Sequence, residues 1–133
     1  MSRSGYIDDW DENWRMICWR GAVASAIRGR RGQAFLKEML AALDALPEKK
    51  LISGELQDRA GAVCALGSVG RARGLEMTGI DIEDQEQVAA VFGIPRALAC
   101  EIMWENDEAA YFTITPEDRF RMVRRWVERN IKT

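Results

Sequence analysis

The stretch QEQVAAVFGIPRALACEI, from Gln85 to Ile102, has the spacing of a helix-turn-helix. Such a corner needs a small residue where two helices cross, a turn residue tolerant of positive φ, and an apolar residue that re-enters the core; Ala89, Gly93 and Ile94 supply these in order. Ala99 and Ile102 complete the inner face of the second helix. Recognition chemistry is where the motif weakens. Its outward positions are Pro95, Arg96, Ala97, Cys100 and Glu101, and the helix runs on through Glu105, Asp107 and Glu108. One arginine among four acids repels phosphate rather than binding it. The segment reads as a helical corner, or as an acidic partner-binding surface made of Glu101, Glu105, Asp107 and Glu108. The i, i+4 pair Glu101 and Glu105 reads as a solvated helix face before it reads as a metal site.

Upstream, GQAFLKEMLAALDAL places Phe35, Leu36, Met39, Leu40, Leu43 and Leu46 on one face, which predicts a helix from Gln33 to Leu46 ended by Pro47. Before it, RGRRG (Arg28 to Gly32) reads as a basic turn in which Gly29 and Gly32 both break the helix. The preceding helix is expected from Asp8 or Asp9 to Arg28. Trp10, Trp14, Ile17, Gly21 and Ala24 fall on one side of it, and Met16, Trp19 and Val23 on the other. A helix apolar nearly all round belongs at the centre of the fold, unless one face is left for a partner; Trp19 is then the candidate aromatic anchor.

The stretch Leu51 to Leu56 is ambiguous between a short strand and a helical turn, so a short strand pair near 50–65 stays open. AGAVCALGSVGRARG is rich in small residues and predicts a short helix packed closely on a neighbour. Its glycines match neither a phosphate loop nor a dinucleotide fingerprint. Asp81 is expected to cap a helix ending at Phe92, the acids of DIEDQE being first-turn residues rather than metal ligands. Thr115 as cap with Pro116 at the first position starts a last helix to about Ile131, with Phe120, Val123, Trp126, Val127 and Ile131 buried and a basic outer face. Together these elements predict one mostly α domain over residues 1–133, a compact bundle of about five helices.

Composition narrows the function classes. The chain has no histidine, which removes the commonest general base and zinc ligand. No catalytic, cofactor or metal residues are assigned, and a non-enzymatic role is expected. Cys18, Cys64 and Cys100 sit among apolar neighbours and are expected as buried thiols. No apolar run approaches bilayer length and the start lacks a secretory pattern, so a cytoplasmic protein without membrane contact is expected. The net charge of −2 conceals segregation. Residues 15–37 carry six basic side chains and no acid, 81–118 ten acids against Arg96, and 119–133 six basic side chains against Glu128. Blocks of this kind steer charged partners. Arg28, Arg30, Arg31, Arg71 and Arg73 are the candidates for binding phosphate or an acidic partner.

The segments WRGAVASAIRGRRGQAFLKEML, VCALGSVGRARG and RMVRRWVERNI together resemble a set of uncharacterised small proteins carried by tailed phages and prophages of Gram-negative bacteria. The resemblance spans most of the chain and implies a phage setting in the host cytoplasm. It brings no catalytic residues with it. The function expected is an accessory protein that binds and modulates a host or phage macromolecule, with a host defence complex among the targets. The alternative is a helix-turn-helix-like nucleic-acid-binding regulator acting as a homodimer.

Overall fold

In a computed structural model describing residues 13–109 and 114–132, with side chains from Met16 onward, the chain is mostly α. Six helices are present among the described residues: α1 (Asn13–Arg28), α2 (Arg30–Asp44), α3 (Ala65–Arg73), α4 (Gln85–Phe92), α5 (Arg96–Asp107) and α6 (Pro116–Asn130). None is long and apolar enough to cross a membrane. The count is one more than the expected five. The expected start of the first helix at Asp8 or Asp9, and the side chains of Trp10 and Trp14, lie outside the described residues.

The core follows the stripes read from sequence. Leu36, Met39 and Leu43 of α2, Val69 of α3, Val88 and Phe92 of α4, Leu98 and Ile102 of α5, and Val123 and Val127 of α6 meet in one buried cluster. Helix α2 packs on α3 and α6, and α4 packs on α5. Thr115 Oγ1 accepts the Asp118 N–H at 3.0 Å, capping α6 as expected. The α4–α5 corner turns at Gly93, whose φ of 70° is the left-handed conformation the motif needs, and Ile94 N–H closes the turn on Ala89 O at 3.1 Å.

Four local expectations are corrected. Asp84, not Asp81, caps α4: its Oδ1 accepts the Gln87 N–H at 3.1 Å, while Asp81 accepts the Glu83 N–H in the turn before. Gly29 breaks the chain between α1 and α2, but Gly32 does not. It lies inside α2, where a Cβ would stand 1.8 Å from Ala26 O, so its role is to let α2 press against the end of α1. The strand pair near 50–65 reduces to one antiparallel bridge between Gln57 and Val63.

The fourth, that all three cysteines are buried, fails in part, since Cys64 and Cys100 are buried but Cys18 is exposed on α1. Burial pushes the Cys64 thiol up to about 12, and Cys100 is raised for the same reason. Because the thiolate is the reacting form, iodoacetamide is expected to modify Cys18 in the native protein and to reach Cys64 and Cys100 only after denaturant is added. Peptide mass mapping checks this; native labelling of Cys64 would show that the α3 N-terminus opens.

Candidate functional site

Helix α1 lies across α5, not at the centre of the bundle. Trp19 and Val23, one turn apart, pack with Cys100 in a second small cluster that includes Ile27 and Ala97. Two of the five positions that would face DNA from the second arm of the corner are therefore covered, and Pro95, Arg96 and Ala97 are half-buried. Cys100 and Glu101 are buried, and Glu101 is only 2% exposed. Arg96, the arm's one arginine, instead bonds Gln85 Oε1 at 2.6 Å, tying the starts of α4 and α5 together. The opposite side of α1 is open: Ile17 is 60% exposed, and a Cβ built on Gly21 would meet nothing within 4 Å. The expectation of a fully sandwiched first helix is thus replaced by a helix with one face in contact and one in solvent.

Where α1, α5 and α6 converge they leave an open cleft of about 420 Å³. Two parallel rows of α1 build one wall, as i, i+4 spacing dictates. Trp19, Val23 and Ile27 form the inner row, and Arg20, Ala24 and Arg28 the outer one. Glu101 of α5 contributes to the floor, and Trp126 and Asn130 of α6 close the far side. Trp19 is 7% exposed, and its Nε1–H, shielded from solvent, has no acceptor among the described residues. A buried donor left in this state costs about 1–3 kcal/mol.

Gln33 fixes the end of the cleft. Its Nε2 donates to Ile27 O at 2.7 Å and to Asn130 O at 3.0 Å, and its Oε1 accepts the Lys132 N–H at 2.8 Å. One amide thereby satisfies the terminal backbone of both α1 and α6. Lys132 Nζ adds a bond to Arg28 O at 3.0 Å. Segments about a hundred residues apart in sequence are locked side by side, and their positive charges come with them.

The arginines divide into two groups. Arg73 is held by both Glu38 oxygens at 2.7 Å and lies over the Phe35 ring, so its guanidinium holds the Glu38 carboxyl below the usual range. Arg124 is bidentate to Asp44 and also bonds Glu128, depressing the Asp44 carboxyl; Arg121 pairs with Asp118. These side chains are committed to the fold. Arg20, Arg28, Arg30 and Arg31 are exposed and have no acidic partner among the described residues. Arg28, Arg30 and Arg31 thus stand together at the α1–α2 junction. Arg71 lines a different cleft, beside Lys50 and Pro116, and the fold does not bring it to the others.

The four acids expected as one surface are also separated. Glu101 is buried beneath α1, while Asp107 accepts the Gly54 N–H at 3.3 Å and an Asn106 N–H at 2.6 Å. Glu105 is half-buried, and Glu108 is exposed at the end of α5. Trp19 is a cleft wall and not a protruding anchor. Sequence reasoning missed Arg20, Trp126 and Asn130 as residues that share the cleft with Trp19, and Gln33 as the amide at its end. Gln33 carried a signal, being polar within the apolar stripe of α2; the others depend on how the helices meet.

No group of three or more His, Cys, Asp or Glu side chains placed to hold a metal occurs among the described residues. Comparison with family models, with curated proteins and with solved structures finds no match.

Proposed function

We propose that the chain is a non-enzymatic accessory protein of phage origin that binds and modulates a host or phage protein complex in the host cytoplasm, with a host defence complex among the target classes. The observation that carries this reading is the cleft end of the molecule. Arg20 and Arg28, which have no acidic partner among the described residues, line an aromatic hollow, and Arg30 and Arg31 follow at the α1–α2 junction. Arginine and tryptophan are the side chains that most often dominate binding energy at interfaces, and a basic rim steers acidic partners to it.

A tagged pull-down from bacterial lysate, run with and without nuclease, tests the reading. The expected result is a stoichiometric protein partner that survives nuclease and is lost from an Arg28→Glu, Arg30→Glu, Arg31→Glu variant. Recovery of nuclease-sensitive nucleic acid alone would overturn it in favour of the nucleic-acid regulator. That second reading draws on one observation: Arg30 and Arg31 occupy the first turn of α2, where the positive helix end adds to their attraction for phosphate. It would act through these arginines and not through α5, and its signature is a steep fall of affinity with salt.

A further inference from the structure

We infer that the α1–α5–α6 cleft is a docking site for a short acidic peptide segment of the partner protein, one that inserts a single large apolar side chain between Trp19 and Trp126 and lays carboxylates on Arg20 and Arg28. The inference rests on the proposed protein-binding role and names the chemistry of the recognised segment. Three features of the cleft select this occupant.

The hollow is the right size for one anchor. At about 420 Å³ it admits a leucine or phenylalanine side chain with adjoining backbone, and its inner row and far wall, Val23, Ile27, Trp19 and Trp126, are apolar surfaces. Trp19 is 93% buried and yet its indole N–H lacks an acceptor among the described residues. A peptide carbonyl is the acceptor that an inserted segment brings with it, and because the N–H is shielded from solvent in the free protein, the Trp19 ring turns toward the cleft on binding. Finally, the positive charge lies at the rim: Arg20 and Arg28 stand on the exposed outer row, while the inner row is apolar. Acids are therefore favoured on either side of the anchor.

The spacing on α1 defines the segment further. Arg20 and Arg28 are eight residues apart on a helix, about 12 Å along its axis. An extended strand covers that distance in about four residues. The recognised pattern is thus an apolar residue with acids about two positions to each side.

The test is a selection from an mRNA-displayed random dodecapeptide library on the immobilised full chain, followed by affinity measurement of the enriched peptides. Enrichment of an apolar residue flanked by Asp or Glu is expected. Those peptides should bind Arg20→Glu, Arg28→Glu protein about ten-fold or more weakly. They should bind an Arg59→Glu, Arg71→Glu protein, with the same change of net charge on other surfaces, as well as the parent. In the ¹H–¹⁵N spectrum the indole resonance of Trp19, assigned by its absence in Trp19→Phe protein, should shift on binding.

No enrichment, peptides without flanking acids, equal loss in both arginine pairs, or an unmoved Trp19 resonance would each overturn the proposal. The two readings fail separately. A nuclease-resistant partner that still binds the Arg20→Glu, Arg28→Glu protein refutes the cleft but keeps the protein-binding role; absence of any protein partner refutes that role.

Discussion

Replacing Gly67 with alanine is expected to lower stability by about 3 kcal/mol. Local propensity predicts the opposite, because alanine in a helix interior is favoured over glycine by about 1 kcal/mol. The packing overrides it. Gly67 lies in the first turn of α3, and a Cβ there would stand 1.9 Å from Leu56 O and 3.1 Å from Val63 Cβ. The obstacle is backbone, and it is tethered: Leu56 O already accepts the Cys64 N–H at 3.2 Å, so it cannot withdraw without breaking the connection that starts α3. Urea unfolding measures the loss directly. Gly21→Ala is the control, since nothing lies within 4 Å of its Cβ, and it should leave stability unchanged or raise it slightly. A gain at Gly67 equal to that at Gly21 would mean that α3 does not pack as described.

Asn106→Ala is expected to cost a comparable amount, about 3 kcal/mol, for a different reason. Asn106 is 2% exposed and sits near the end of α5. Its Oδ1 accepts the N–H of Ala65, the first residue of α3, at 3.0 Å, while Nδ2 donates to Ile52 O at 2.9 Å. Its own carbonyl accepts from Arg119 of α6. Truncation leaves the Ala65 N–H and the Ile52 carbonyl without these side-chain partners, at about 1–3 kcal/mol each. Asn106→Asp separates this account from simple loss of volume. The carboxylate still accepts from Ala65 but faces Ile52 O and the Asp107 carboxylate with no proton to donate. Burial and that neighbour raise its pKa in the folded state above the unfolded value, so the variant's stability relative to the parent should be highest at low pH and fall as pH rises through the folded pKa. Denaturation at a series of pH values checks the sign; a flat profile would show that water solvates the site.

These two positions differ in how far sequence could reach them. The small-residue run around Gly67 announced a close approach, and the structure supplies its target, the Leu56 carbonyl. Asn106 gave no signal. It lies in WENDE, where an amide among acids reads as solvent-facing, and its burial follows from the 50s loop, α3 and α6 meeting at that point. Cys18 was misread for a related reason. Apolar neighbours on a helix imply burial only if both faces are covered, and α1 has one in solvent.

The sequence by itself determined the helical class, the cap and stripe of α6, the buried face of α2, and the Gly93 corner between α4 and α5. All are set by contacts within a few residues: a threonine oxygen three positions from its donor, apolar side chains repeating every three or four, a glycine at positive φ. The tertiary structure alone decided that α1 covers Cys100 and Glu101, which takes these two outward positions of the corner's second arm out of solvent. It alone decided which arginines lack acidic partners. Arg73 and Arg124 meet carboxylates 35 and 80 residues away, whereas Arg20 and Arg28 meet none among the described residues. Helical periodicity specifies which side chains share a face, but the neighbour that face receives depends on burial summed over the whole chain. The cleft is a product of that sum, its two tryptophans being set by separate helices and held in register by the amide of Gln33.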